Sequence, residues 1–155
     1  MALPVDTSSH PSAKDEAGVS AVLASPALTF QQKTAILARI ALPPGLHAYG
    51  LPVPAGYIPT TVSVRGPENV EIGQAIYPPT TPFRVEGLDE EFHVFEGDIE
   101  IEVPILSSEY QAESVKFEVE IRYQACDDQT CFLPQTVNLT IEAPVKGVNR
   151  PPRRT

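Results

Sequence analysis

Two sulfurs are the side chains of this chain whose type and spacing point most directly to chemistry. Cys126 and Cys131, in the run Cys-Asp-Asp-Gln-Thr-Cys, are its only cysteines among 155 residues. Three fates are open to such a pair. A structural disulfide closing a loop of about six residues adds about 2 kcal/mol by chain entropy, against nearly 5 for a loop of about 100. It would do little to staple a fold. A zinc site wants four protein ligands, or three plus water. Only His10, His47 and His93 are available to join the sulfurs, and none stands at a ligand-like spacing from them. The third fate is a dithiol that exchanges with the disulfides of other proteins. It needs an exposed pair, a short bridge and a thiolate formed on demand, with no metal or organic cofactor. Reversible redox is the leading reading.

The neighbours tune that chemistry. Asp127 and Asp128 set negative charge beside Cys126, and like charge disfavours a thiolate. Reactivity would then wait for a complex. Both aspartates also suit a turn for local reasons alone. Phe132 and Leu133 fill core or shield the second sulfur, and Pro134 stiffens the return.

The elements that must hold the pair read as strands. Val115, Phe117, Val119, Ile121 and Tyr123 alternate with Lys116, Glu118, Glu120 and Arg122, a period of two with one wet face. Val137, Leu139 and Ile141 alternate in the same way, so these two runs form a hairpin whose connection carries the cysteines on either side of a four-residue tip, 127–130. Facing residues of an antiparallel pair have Cα atoms about 4.5–5.5 Å apart, which overlaps the range of about 4.4–6.8 Å that a disulfide accepts. Ile99, Ile101, Val103 and Ile105 mark another strand, whose Pro104 places that end at an edge or bulge. Residues 34–42 and 58–65 are further candidates, with short ones at 70–72 and 92–95. Residues 31–40 alone resemble a helix, and their Ile and Thr content favours strand.

About seven short strands, with turn signals roughly every ten residues, suggest an all-β fold: an immunoglobulin-like antiparallel β-sandwich. Seventeen prolines, nine glycines and no Trp fit that habit. Residues 1–27 read as a flexible lead-in with an edge strand at 19–23, residues 28–144 as the sandwich, and 145–155 as a linker to a further module. The net charge of −9 argues against nucleic-acid or anionic-membrane partners. No apolar run reaches the length of a membrane span, and no signal peptide is expected at the N-terminus. Such a chain is either cytosolic or the mature domain of a longer precursor. A hydrolase has no support: no Ser lies in a Gly-x-Ser-x-Gly turn. An immunoglobulin-like binding or adaptor module, its disulfide purely structural, is the alternative to the exchange reading.

At the cysteine segment the chain resembles a known family. Tyr123-Gln124-Ala125-Cys126 through Cys131-Phe132-Leu133-Pro134 is similar to the Tyr-Gln-x-Cys…Cys-x-Pro-Pro segment of the N-terminal periplasmic domain of DsbD, the thiol:disulfide interchange protein. Pro43-Pro44-Gly45-Leu46-His47-Ala48-Tyr49-Gly50 resembles that family's Pro-x-Gly-x-His/Tyr-x-Tyr segment, and the likeness runs over residues 28–143. The resemblance implies a periplasmic or extracytoplasmic sandwich, a monomer, that relays electrons between thioredoxin-like proteins or domains as a protein-disulfide reductase. It implies Cys131 as the attacking thiol and Cys126 as the resolving one. It also implies supporting aromatic positions at His47 and Tyr49, and a shielding cap within residues 83–91, with Phe83 or Phe92 as the lid. The chain departs from the family pattern in its Cys-x4-Cys spacing, one residue shorter than in the best-known members. It departs also in His47, where an aromatic hydroxyl stands elsewhere, and in Phe132-Leu133-Pro134 in place of one residue and paired prolines.

Overall fold

The computed structural model describes residues 17–84, 87, 90–107 and 113–146. Among them are eleven strands and no helix. In chain order these are β1 Gly18–Leu23, β2 Lys33–Ala41, β3 His47–Tyr49, β4 Thr61–Arg65, β5 Val70–Ile72, β6 Thr81–Arg84, β7 Glu91–Glu96, β8 Asp98–Ser107, β9 Ser114–Tyr123, β10 Ala125–Cys126 and β11 Gln135–Pro144. Residues 1–16 of the expected lead-in (1–27) and 147–155 of the expected tail (145–155) lie outside the described residues.

Period-two alternation builds the two faces of an immunoglobulin-like antiparallel sandwich. One sheet runs β1-β2-β8-β5 and the other β11-β9-β4. Ile36, Ala38 and Ile40 of β2 and Ile99, Ile101, Val103 and Ile105 of β8 turn inward. They meet Phe117, Val119, Ile121 and Tyr123 of β9 in one buried cluster, while the glutamates between them stay in water. Each large side chain so buried contributes about 1.5–3 kcal/mol. β1 pairs with β2 along its whole length, Gly18 opposite Ala41 and Leu23 opposite Ile36. The sheet therefore begins upstream of residue 28. The hairpin of β9 and β11 has Tyr123 opposite Gln135 and Ser114 opposite Pro144.

Pro104 is not at a sheet edge, because β8 has β2 on one side and β5 on the other, but it does meet a bulge, the register shifting by one residue between Ile72–Ile105 and Ile76–Glu102. β5 ends at Ile72, opposite Ile105, and the Gly73 N–H donates to the Pro104 carbonyl at 2.8 Å. The nitrogen and carbonyl of one strand residue point to the same side, so the missing N–H of Pro104 faces the place where β5 turns away. The ladder to β2 is untouched.

A third sheet, β10-β3-β7-β6, continues from the sandwich and carries the cysteines. β7 runs into β8 through Gly97, whose φ of +69° suits a residue without Cβ.

Candidate functional site

β3 is placed by a turn that the sequence spells out. Leu46 N–H donates to the Pro43 carbonyl at 3.2 Å, with Pro44 and Gly45 between them and Gly45 at φ +88°. Proline then glycine at these two positions is the signature of a type II turn. All three residues of β3 are buried. Ala48 faces the main core. His47 and Tyr49 face the other way.

β10 repeats this division. Ala125 joins the main core, and Cys126 belongs to a second cluster with Tyr49, Phe92 and Val94, against which Val53, Tyr57 and Phe83 pack. In the register of β10 with β3, Ala125 stands opposite Ala48 and Cys126 opposite His47. The chain leaves the sheet of β9 after Tyr123, crosses to β3, and returns to pair as β11. The cysteines thus sit in an excursion from the β9–β11 hairpin and lie against a different sheet.

The excursion is a small hairpin of its own. Cys126 and Cys131 are bridged as an antiparallel pair and joined by a disulfide, with Cα atoms 3.9 Å apart. Asp127 N–H donates to the Thr130 carbonyl at 2.9 Å, and Phe132 N–H to the Ala125 carbonyl at 2.8 Å. The Asp127 carboxylate accepts from the backbone N–H of Gln129 at 2.8 Å and of Thr130 at 2.6 Å, so its charge is engaged in closing the tip. Those backbone bonds, Thr130 first, hold its pKa below the usual value. Asp128 lies exposed beside it.

The two cysteines differ in exposure. Cys126 is 1% exposed, and Cys131 faces solvent. Tyr49 Oη lies 3.6 Å from Cys131 Sγ. A disulfide sulfur has no proton, so the hydroxyl donates. Burial, with Tyr57 adding to it, raises the Tyr49 pKa, which keeps that donor protonated.

The ring of Tyr49 is held by Phe92 at 5.4 Å and Tyr57 at 5.3 Å between centroids, with Tyr57 edge-on to Phe92 at 5.0 Å. Phe92, expected as a possible lid, is instead 1% exposed, because alternation along β7 turns it inward beneath Tyr49. Phe83 is half-buried, with its ring 4.5 Å from that of His47. Of the expected cap, residues 85, 86, 88 and 89 lie outside the described residues.

Two contributors were not singled out in the sequence. Tyr57 is delivered by a second Pro-x-Gly turn, 54–57, with Gly56 at φ +93° and Tyr57 N–H donating to the Pro54 carbonyl at 3.3 Å. Its likeness to the turn before His47 was the available signal. Glu96 comes opposite His47 across β3 and β7, and no local pattern announces it.

His47 is 4% exposed. Burial lowers its pKa, against the raising influence of Glu96, Asp127 and Asp128. An open groove of about 470 Å³ runs beside it, lined by 43–47, Phe83, Glu96, Gly97 and Asp128. Among the described residues no three His, Cys, Asp or Glu side chains converge as a metal site would require.

Comparison with known proteins adds to this geometry. Residues 18–143 match the family model described as "Thiol:disulfide interchange protein DsbD, N-terminal". The fold resembles the crystal structure of the Neisseria meningitidis DsbD N-terminal domain in the reduced form. That match has a TM-score of 0.50 and 11% identity, covering 81% of this chain and 85% of that one. It also resembles the N-terminal periplasmic domain of ScsB from Proteus mirabilis, with a TM-score of 0.53 and 17% identity. Here 84% of this chain and 48% of that one are covered, so this chain spans about half the length of the ScsB chain. No curated protein sequence matches.

Proposed function

The chain belongs to the family of the N-terminal domain of the thiol:disulfide interchange protein DsbD, and we propose that it relays electrons between thioredoxin-like proteins through Cys126 and Cys131. The observation that carries this reading is the unequal exposure of the pair. Cys131 is an exposed residue whose sulfur has a hydroxyl donor at 3.6 Å, and Cys126 is buried.

From the disulfide form, a thiolate of a reduced partner attacks Cys131 Sγ. The Cys126–Cys131 bond breaks, and Cys126 leaves with the electron pair. The partner's second thiol then releases itself as a disulfide, leaving the dithiol here. In the other direction the Cys131 thiolate attacks an oxidised partner, and Cys126 resolves the mixed disulfide. Because a reaction and its reverse share one path, Cys131 carries the mixed disulfide in both directions. The Tyr49 hydroxyl stabilises the Cys131 thiolate, and Tyr57 and Phe92 hold that ring in place. Phe83 shields the His47 side of the site. An extracytoplasmic setting fits this role and the relatives above, and the reading takes the sandwich as a monomer attached to a further module.

Trapping tests the assignment. With a thioredoxin-like protein that keeps only its exposed cysteine, activated as a mixed disulfide with a small aromatic thiol, the Cys126→Ser variant should accumulate a stable mixed disulfide through Cys131. The Cys131→Ser variant should form one far more slowly. Equal trapping by two folded variants, or none by either, would contradict the assignment.

A further inference from the structure

Three polar side chains stand in one row across three strands of the site sheet. Cys126 on β10 is the register partner of His47 on β3, and His47 is the register partner of Glu96 on β7. Directly opposite residues of antiparallel strands project from one face, with Cβ atoms about 4.5–5.5 Å apart. The order is thiol, imidazole, carboxylate: a nucleophile beside a base, and the base beside a third group that can orient it. Two positions further along β3, Tyr49 reaches the other sulfur. β3 therefore offers one polar side chain to each cysteine.

The state of His47 points the same way. Its Nε2 is enclosed and has no hydrogen-bond partner among the described residues. A buried polar atom without a partner is uncommon and calls for a reason. In the disulfide form neither sulfur carries a proton, so Cys126 has nothing to donate. Reduction places an S–H on Cys126, the residue opposite His47 in the register of β10 with β3.

We propose that His47 is the base that takes the proton of Cys126 when Cys126 resolves a mixed disulfide, a role that rests on the exchange reading above. The Cys126 thiol proton passes to His47 Nε2. Cys126 Sγ attacks Cys131 Sγ and forms the Cys126–Cys131 bond. The bond from Cys131 to the partner sulfur breaks, and the partner leaves as a thiolate with the electron pair. The two cysteines end oxidised, the partner's disulfide ends as a dithiol, and His47 returns its proton to the leaving thiolate or to water. The charged groups facing the imidazole are Glu96 from β7 and Asp127 and Asp128 from the tip after β10. β6 brings the ring of Phe83. The three carboxylates favour the imidazolium formed in the step, and burial returns the ring to its neutral form.

A chromogenic aromatic disulfide tests this without a protein partner. Mixed with the reduced protein in stopped flow, it releases one coloured thiolate when Cys131 attacks and a second when Cys126 resolves. An ordinary thiol of pKa about 8.5 is only about 3% ionised at pH 7, so a base can raise the reactive fraction by up to about 30-fold. In His47→Phe and His47→Gln the ratio of the second-phase to the first-phase rate constant should fall by about tenfold or more, with the second phase moving to alkaline pH. Glu96→Gln, at an exposed position, preserves the fold and should move the acid limb of the second phase to lower pH. A ratio within about threefold of the parent (half a pKa unit) in a folded His47 variant, or an unmoved limb in Glu96→Gln, would overturn the role of His47. A parent protein with no first phase would instead overturn the exchange reading itself.

Discussion

Replacing Tyr49 by Phe removes one oxygen and leaves the ring packing on Phe92 and Tyr57 intact. That oxygen is the donor 3.6 Å from Cys131 Sγ. A hydrogen bond to a charged group contributes about 1.5–3 kcal/mol, and the long contact argues for the lower end. About 1.4 kcal/mol corresponds to one pKa unit, so the Cys131 thiol of Tyr49→Phe should titrate about one unit higher. At neutral pH the thiolate fraction then falls about tenfold. A more basic thiolate is intrinsically more nucleophilic, however, with a Brønsted slope of about 0.4–0.5, which restores about threefold. The net expectation is attack about threefold slower at pH 7 and about threefold faster above the thiol pKa. The assay is the pH profile of alkylation of Cys131, measured in a Cys126→Ser background with and without Tyr49→Phe. Superimposed profiles would refute the hydroxyl's role as donor to the Cys131 thiolate.

Other outcomes follow from the packing. Phe92→Ala should cost about 3–5 kcal/mol of stability, read by urea unfolding, because its ring is a floor of the site and not a lid. Phe83→Ala should leave stability nearly unchanged and speed reduction of the disulfide by a small thiol. Gly50→Ala should destabilise by about 1–3 kcal/mol, because a Cβ there would lie 2.6 Å from Thr80 Cγ2 and 3.0 Å from the Phe95 ring. Burial holds the folded pKa of His47 below its ordinary 6.5, so the unfolded chain takes up the proton first. That stability is fully present above pH 6.5 and is lost as pH falls through the folded value. In His47→Phe, unfolding free energies measured across this window should show a shallower decline.

What could be read from the sequence followed the wetness of each strand. β8, β9 and β11 show one face to water, so their Ile, Val and Phe alternate with Glu, Lys and Thr, and the strands were legible, as was the pairing of β9 with β11. β3 was not, because three residues buried on both faces carry no alternation. β10 has only two residues, and its partner is set by the fold, not by its neighbours in sequence. The cysteine pair and its tip were visible because they are local. Tyr49 and His47 were noticed through family likeness alone, since residues 77 positions or more upstream of the disulfide leave no local trace of the contact. Glu96 and Tyr57 reach the site by strand register and by a turn. Phe92 was expected as lid because its position near the cap was visible, while the inward phase of β7 was not.

The central claim is that Cys126 and Cys131 form a working redox couple. The most direct measurement is their reduction potential, obtained by equilibrating the protein in graded thiol–disulfide buffers. The account predicts a value between roughly −180 and −270 mV, where exchange catalysts and carriers lie. A value below about −300 mV would mark a structural staple and would contradict it.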